Sequence, residues 1–201
     1  MTADRRTEGT PDTRTRLIVA MVGALRTKGF HGVGLNELLA EADAPKGVLY
    51  HHFPGGKTEL AVAAIDTVVV HLTRGLEGLF ARQGDVVPAL TAWLKDAQNA
   101  LLDSGYQQGC PLATIALEST AEDMTIRDAV ARGFAAIRET LKQALTRRGV
   151  PSGRAGSLAA LIVSAYEGGL IQARVAGSKK PLQDTTTMLL EVIRDALPDG
   201  R

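Results

Sequence analysis

Residues with chemistry to offer crowd into one stretch, APKGVLYHHFPGGK, between positions 44 and 57, where Lys46, Tyr50, His51, His52 and Lys57 stand close together. Three chemistries use such residues. Adjacent histidines could form a catalytic or metal-binding pair, but neighbours on a helix point in different directions, and a zinc pair wants i,i+4 spacing. No cysteine or carboxylate cluster beside them completes a ligand set. Gly55-Gly56-Lys57-Thr58 has the ending of a phosphate-binding loop, but it lacks the first glycine at the required spacing and a preceding strand. The third chemistry is contact with a larger, phosphate-bearing partner. It needs apolar anchors behind, small or polar side chains in front, and donors at the edge. Leu49 and Phe53, four apart, supply the anchors, and Lys46, Gly47, Val48, Tyr50 and His51 are left for the other side. Gly47 would permit close backbone approach, and Tyr50 offers a rigid ring with a phenol donor. Lys57 would open the next helix, where its charge and the free N–H groups both favour a phosphate.

The remaining nucleophile is Cys110, the single cysteine, which excludes an intrachain disulfide and fits a reducing compartment. It has no identifiable histidine partner, and a lone cysteine is usually a small buried apolar group. Its place before Pro111 makes it a candidate for a pocket wall. The sequence points to no metal and no cofactor, and it shows no convergent acid, base and nucleophile of an enzyme.

Helical periodicity supplies the elements that must position these groups. Leu17, Met21, Ala24 and Leu25 share one face of a first helix that ends at Lys28-Gly29. Leu35, Leu38, Leu39 and Ala42 mark a short second helix. Pro45 suits the first turn of a short third, which Pro54-Gly55-Gly56 stops. A long fourth runs from about Leu60 to Gly84. Pro88 opens a fifth, Pro111 a sixth (PLATIALEST), and Ile126 to Leu145 marks a seventh. The eighth, about Ser157 to Ala176, is rich in Ala, Ser and Gly, which suits close helix approach. The ninth spans Leu182 to Leu197. No segment alternates as a strand would, so the fold class is all-α.

Composition agrees with a folded chain: of 201 residues, 45% are hydrophobic and 22% charged, which excludes wholesale disorder. Net charge is only +1, but residues 1–57 carry eight Lys+Arg against six Asp+Glu and three of the four histidines. That is a weak basic bias toward the N-terminal part. No apolar run approaches the ~18 residues of a membrane span, and the N-terminus has no apolar core of signal-peptide type. A cytoplasmic protein with no membrane partner is expected. Residues 1–12 read as a flexible arm. Arg5, Arg6, Arg14 and Arg16 could reach a minor groove from it, or simply be solvated.

The second and third helices, joined through Asp43-Ala44, have helix-turn-helix spacing, in which the second of the pair enters the DNA major groove. The run from Gly29 to Lys57, GFHGVGLNELLAEADAPKGVLYHHFPGGK, resembles the DNA-binding signature of the TetR family of bacterial transcriptional regulators. Gly29-Phe30, the Leu38 helix, Lys46-Gly47, Leu49-Tyr50, His52-Phe53 and Lys57 carry the resemblance, which is close over residues 13–65. Gly34 replaces the small hydroxyl residue usual at the start of the second helix, so only its backbone N–H is available for a phosphate there. Asp43 replaces the turn glycine, a tolerable exchange because aspartate enters tight turns. YQQGCPLATIALE, Tyr106 to Glu118, resembles the LmrA/YxaF-like branch, which is linked with control of multidrug-efflux or related genes.

The expectations follow from the residues and the resemblance together. Residues 13–57 would form a helix-turn-helix domain that binds a double-stranded, palindromic DNA operator through Gly34, Lys46, Gly47, Val48, Tyr50, His51 and Lys57. Residues 58–201 would form a helical effector-binding and dimerisation domain, with helices eight and nine building a four-helix bundle in a homodimer. The resemblance implies a hydrophobic small-molecule effector among helices four to eight. Candidate pocket residues are Trp93, Leu94, Cys110, Thr114, Leu117, Glu118, Phe134, Ile137, Tyr166 and Glu167, where a buried Glu118 or Glu167 would favour a cationic group. The protein would be a repressor released by that effector. The alternative is an all-helical carrier or enzyme that keeps the helix-turn-helix for packing.

Overall fold

The computed structural model describes residues 12–198, so the expected arm, with Arg5 and Arg6, lies almost wholly outside the described residues. Asp12 is not arm but cap. Its carboxylate accepts the Thr15 N–H at 2.7 Å and starts α1, Thr13–Thr27. Leu17, Met21 and Leu25 on its inner face are fully buried. Helix α2, Leu35–Glu41, follows the N-cap Gly34, and α3, Lys46–His52, follows the N-cap Pro45. Between them Asp43 takes a left-handed φ of +45°, which costs a non-glycine residue energy. Arg16 holds this turn by donating from its guanidinium to the carbonyl oxygens of Ala42 and Asp43, both at 2.9 Å. Arg14 lies over the Phe53 ring at 5.4 Å. Both arginines therefore belong to the three-helix body and not to an arm, because α1 begins before them.

Helix α4, Gly56–Gln83, starts at a left-handed glycine (φ +66°) and runs 28 residues, roughly 42 Å. It leaves the three-helix head and buries Leu60, Ala64, Ile65, Val68 and Leu76. Helix α5, Val86–Asp103, begins two residues before Pro88 because the Asp85 carboxylate accepts the Val86 N–H. Next come α6, Pro111–Glu118, and α7, Met124–Arg147. Helix α8, Ser152–Ala176, starts after Pro151, earlier than its run of apolar residues suggested, and α9 is Lys180–Ala196. These nine helices are the regular elements among the described residues, so the fold is all-α as expected.

Helix α4 packs on α1, α5 and α7, α7 on α8, and α8 on α9. Two glycines permit the closest crossings. A Cβ on Gly133 would meet Val69 of α4 at 2.7 Å, and one on Gly169 would meet Leu182 of α9 at 2.7 Å. Of the small residues on α8, Gly169 thus serves the contact within the chain, whereas Gly168 has open space beside it. Helix α8 alone among the described helices is long and apolar enough, by length and composition, to cross a membrane. Its Ala, Leu, Ile and Val content causes this, and Leu158, Ile162, Tyr166 and Leu170 on it pack into the core.

Candidate functional site

The face of α3 is built by its anchors. Leu49 and Phe53 are buried at 0% and 1% exposure, which turns Lys46, Gly47, Tyr50 and His51 outward. Val48 is half-buried on the same short helix. A Cβ on Gly47 would meet no atom within 4 Å, so that strip of backbone is open to a close partner. The Tyr50 ring is instead placed against Gly56, where an added Cβ would stand 3.2 Å from it. The turn into α4 thereby fixes the phenol at the head's edge. His51 is exposed and His52 half-buried, edge-on to each other at 5.1 Å, with His52 leaning toward Phe53. Among the described residues no group of three or more His, Cys, Asp or Glu side chains could hold a metal. Gly34 is exposed, with no neighbour where a side chain would go.

Lys57 is less free than its position at the start of α4 suggested. Its ammonium lies over the Phe30 ring at 4.6 Å, and the loss of water there lowers its pKa, partly offset by the Glu118 carboxylate nearby.

Glu118 itself sits where sequence reading did not place it. As the last residue of α6, it accepts the backbone N–H of Phe30 and, at 3.3 Å, that of His31, 87 residues away. A side chain on Gly29 would collide with this carboxylate, and Gly29 also needs its φ of +71°. Next to it, His31 Nε2 meets Asp123 at 3.0 Å. The Asp123 carboxyl is held at about 2, first by the Thr120 backbone N–H and then by His31. The loop between α1 and α2 is therefore clasped by the end of α6 and the start of α7.

Five of the ten expected pocket residues converge. Cys110, Thr114, Leu117 and Glu118 of the α6 segment face Glu167 across a cleft of about 330 Å³, together with Gly109, Ala113, Leu170, Ile171, Arg174 and Val175. Of these last six, which the sequence did not single out, all but Gly109 are signalled by spacing: positions 110, 113, 114, 117 and 118, and 167, 170, 171, 174 and 175, each follow one helix face. Tyr166 belongs to a smaller adjoining void of about 110 Å³ that Cys110, Arg26 and Leu72 also line. Trp93 stacks on Tyr166 with ring centroids 4.4 Å apart and lines neither space. Leu94 and Ile137 are core residues at 1% and 4% exposure, and Phe134 packs half-buried against that core. These three also line neither cavity.

Glu167 is the electrostatic centre of the cleft. Burial pushes its carboxyl up to about 7, while the Cys110 thiol beside it works in the opposite direction. The Cys110 thiol is pushed far up, first by burial and then by that carboxylate, so it stays protonated and is no nucleophile.

Comparison with known proteins agrees with this geometry. The family model of bacterial regulatory proteins, tetR family, matches residues 10–64, and that of the transcriptional regulator LmrA/YxaF-like C-terminal domain matches residues 86–188. The HTH-type transcriptional regulator LmrA of Bacillus subtilis is 24% identical over 183 residues, covering 91% of this chain and 97% of LmrA. The HTH-type transcriptional regulator Rv0196 of Mycobacterium tuberculosis is 30% identical over 191 residues, covering 92% of this chain and 96% of its own. The crystal structure of Escherichia coli NemR in reduced form superposes with a TM-score of 0.76 at 26% identity, covering 94% of this chain and all of that one (100%).

Proposed function

The chain belongs to the TetR family, as a DNA-binding transcriptional regulator whose relatives include LmrA and YxaF, and from that premise we propose that it is a homodimeric repressor released by a small hydrophobic molecule. The observation that carries the reading is α3: a helix anchored by two fully buried side chains, with Lys46, Gly47, Tyr50 and His51 outward and an open strip of backbone at Gly47. In this reading residues 13–57 are the head. Lys46, Gly47 and Val48 approach base edges, Val48 against a thymine methyl. Tyr50, His51, the Gly34 N–H and the start of α4 with Lys57 hold phosphates.

Residues 58–201 form the sensing and pairing part. Two-fold pairing is supported by apolar side chains left exposed on α8 and α9: Leu161 on one, Met188 and Val192 on the other, while Ile171 and Val175 line the α6–α8 cleft. Gly168, with open space at its Cβ, would let a second copy approach closely. Ile193, next to Val192, is buried in the chain's own core at 0% exposure, so Val192 is the outward residue of that turn. Two heads related by a two-fold axis read a pseudo-palindrome.

Selection of bound sequences from a random DNA pool tests this reading directly. A palindromic consensus is expected, bound by the wild type and weakened by Lys46→Ala by about 1–3 kcal/mol with specificity relaxed at one position of each half-site. A pool that yields no consensus, or a Lys46→Ala variant with the affinity and specificity of the wild type, overturns it.

A further inference from the structure

We propose that the α6–α8 cleft is a site for an organic cation, an apolar body carrying a protonated amine that pairs with Glu167. The clause "released by a small molecule" in the regulator reading gives this site its consequence, but the site stands on its own geometry. Among the described residues, Glu167 Oε2 is the one buried side-chain polar atom without a hydrogen-bond partner. Buried polar atoms are nearly always paired, because an unpaired one forgoes its water. This orphan lies in the wall of an existing cleft of about 330 Å³, which is at the small end of the range for ligand pockets. The cleft therefore suits one ring with a short side arm.

Charge decides what fills it. Arg174, two turns further along α8, lies against Gly109 and forms no ion pair with Glu167. Cys110, Thr114 and Glu118 are the other polar residues of the wall, and the Glu118 carboxylate is taken up by the Phe30 and His31 backbone N–H groups. The thiol already leans on the Glu167 carboxylate, and the Thr114 hydroxyl donates to the Cys110 carbonyl at 3.0 Å. The walls are otherwise apolar: Ala113, Leu117, Leu170 and Ile171. Once ionised, above about pH 7, the Glu167 carboxylate can only accept, so it asks for a donor, and a positively charged donor gains most there.

The test uses two probes of equal length, 4-phenylbutylamine and its neutral analogue 4-phenylbutan-1-ol, titrated into the full-length protein by calorimetry. The amine is expected to bind at least tenfold tighter than the alcohol to wild type. In Glu167→Gln that ratio should fall to about one, while Glu77→Gln, at an exposed carboxylate of α4 outside the cleft, keeps it. Equal affinities in wild type, or a preference surviving in Glu167→Gln, overturn the site. Operator binding is measured in the same samples without any ligand. A protein that binds no operator yet prefers the amine overturns the regulator reading and leaves the site standing. An operator-binding protein without the preference overturns the site alone.

Discussion

Glu167→Gln should stabilise the protein in a way that grows with pH, and the size of the gain follows from the burial of this one carboxyl. In the folded chain its pKa is raised from the ordinary 4.5 to about 7, chiefly by loss of water. A carboxyl whose folded pKa lies above its unfolded one binds its proton more tightly in the fold. Its contribution is fully present below about pH 4.5 and is lost as pH rises through 7. At about 1.4 kcal/mol per pH unit of difference, the wild type surrenders roughly 3 kcal/mol by pH 8. An amide of the same shape never ionises and surrenders nothing. The neighbouring Cys110 thiol and Tyr166 phenol are both pushed upward and stay neutral throughout this window, so they do not imitate the effect. Urea unfolding at one protein concentration, at pH 5, 6, 7 and 8, measures it. The variant's advantage should be small at pH 5 and near its full value at pH 8. An advantage that is flat across the series, or a variant less stable at pH 8, would falsify the assignment of Glu167 as a buried, unpaired carboxylate.

The proposed DNA face and the proposed pairing face make their own predictions. Gly47→Ala should raise stability by about 0.5–1 kcal/mol, since Gly47 is inside a helix and its added methyl meets nothing in the protein. Operator binding should fall in the same variant, and a stabilised protein with undiminished affinity in a fluorescence-anisotropy titration would exclude close approach at α3. Gly34→Ser should change unfolding free energy by only a few tenths of a kcal/mol but tighten operator binding about tenfold through one added bond to a phosphate; equal affinity shows that no phosphate lies there. Lys57→Met keeps an aliphatic stem over Phe30 and removes the charge, so the salt slope should drop by about 1; an unchanged slope assigns Lys57 to the joint with α6 instead of to DNA. Val192→Glu should shift sedimentation from dimer to monomer with the helical circular dichroism retained, and a variant that stays dimeric moves the pairing face away from α9.

What the sequence made legible depended on how local the cause was. The third helix was readable because its proline start, its anchors Leu49 and Phe53, and its glycine stop lie within ten or so residues. Helices α5 and α8 began earlier than their apolar patterns because caps and loop residues, not periodicity, set where a helix starts. The cleft was half readable. Spacing along α6 and α8 marks a shared face, but it says nothing of whether inward residues meet a void or other atoms. Leu94 and Ile137 point inward as Cys110 does, and they meet packed core. The partners of Glu118 were beyond reach for a different reason. They are backbone N–H groups in a loop far away in the chain, and main-chain donors leave no mark in a residue string.

That last contact changes how sensing and reading relate in this chain. Glu118 lines the cleft with its helix and clasps the Phe30–His31 backbone with its carboxylate, and Lys57 stands beside it on the Phe30 ring. A second clasp, His31 to Asp123, joins the same loop to the start of α7. The loop leads directly into Gly34 and α2, so the end of α6 and the start of α7 hold the entry to α2, which packs on α3. A ligand between α6 and α8 is therefore separated from the head by one short helix and one side chain. Long-range coupling requires only that the ligand prefer one placement of α6, by however much free energy the two placements differ in its contacts. The long α4 joins the same two parts of the chain, since it begins at Gly56 beside the Tyr50 ring and packs along α1 and α7, so a ligand that acts through α6 alone must leave that helix in place.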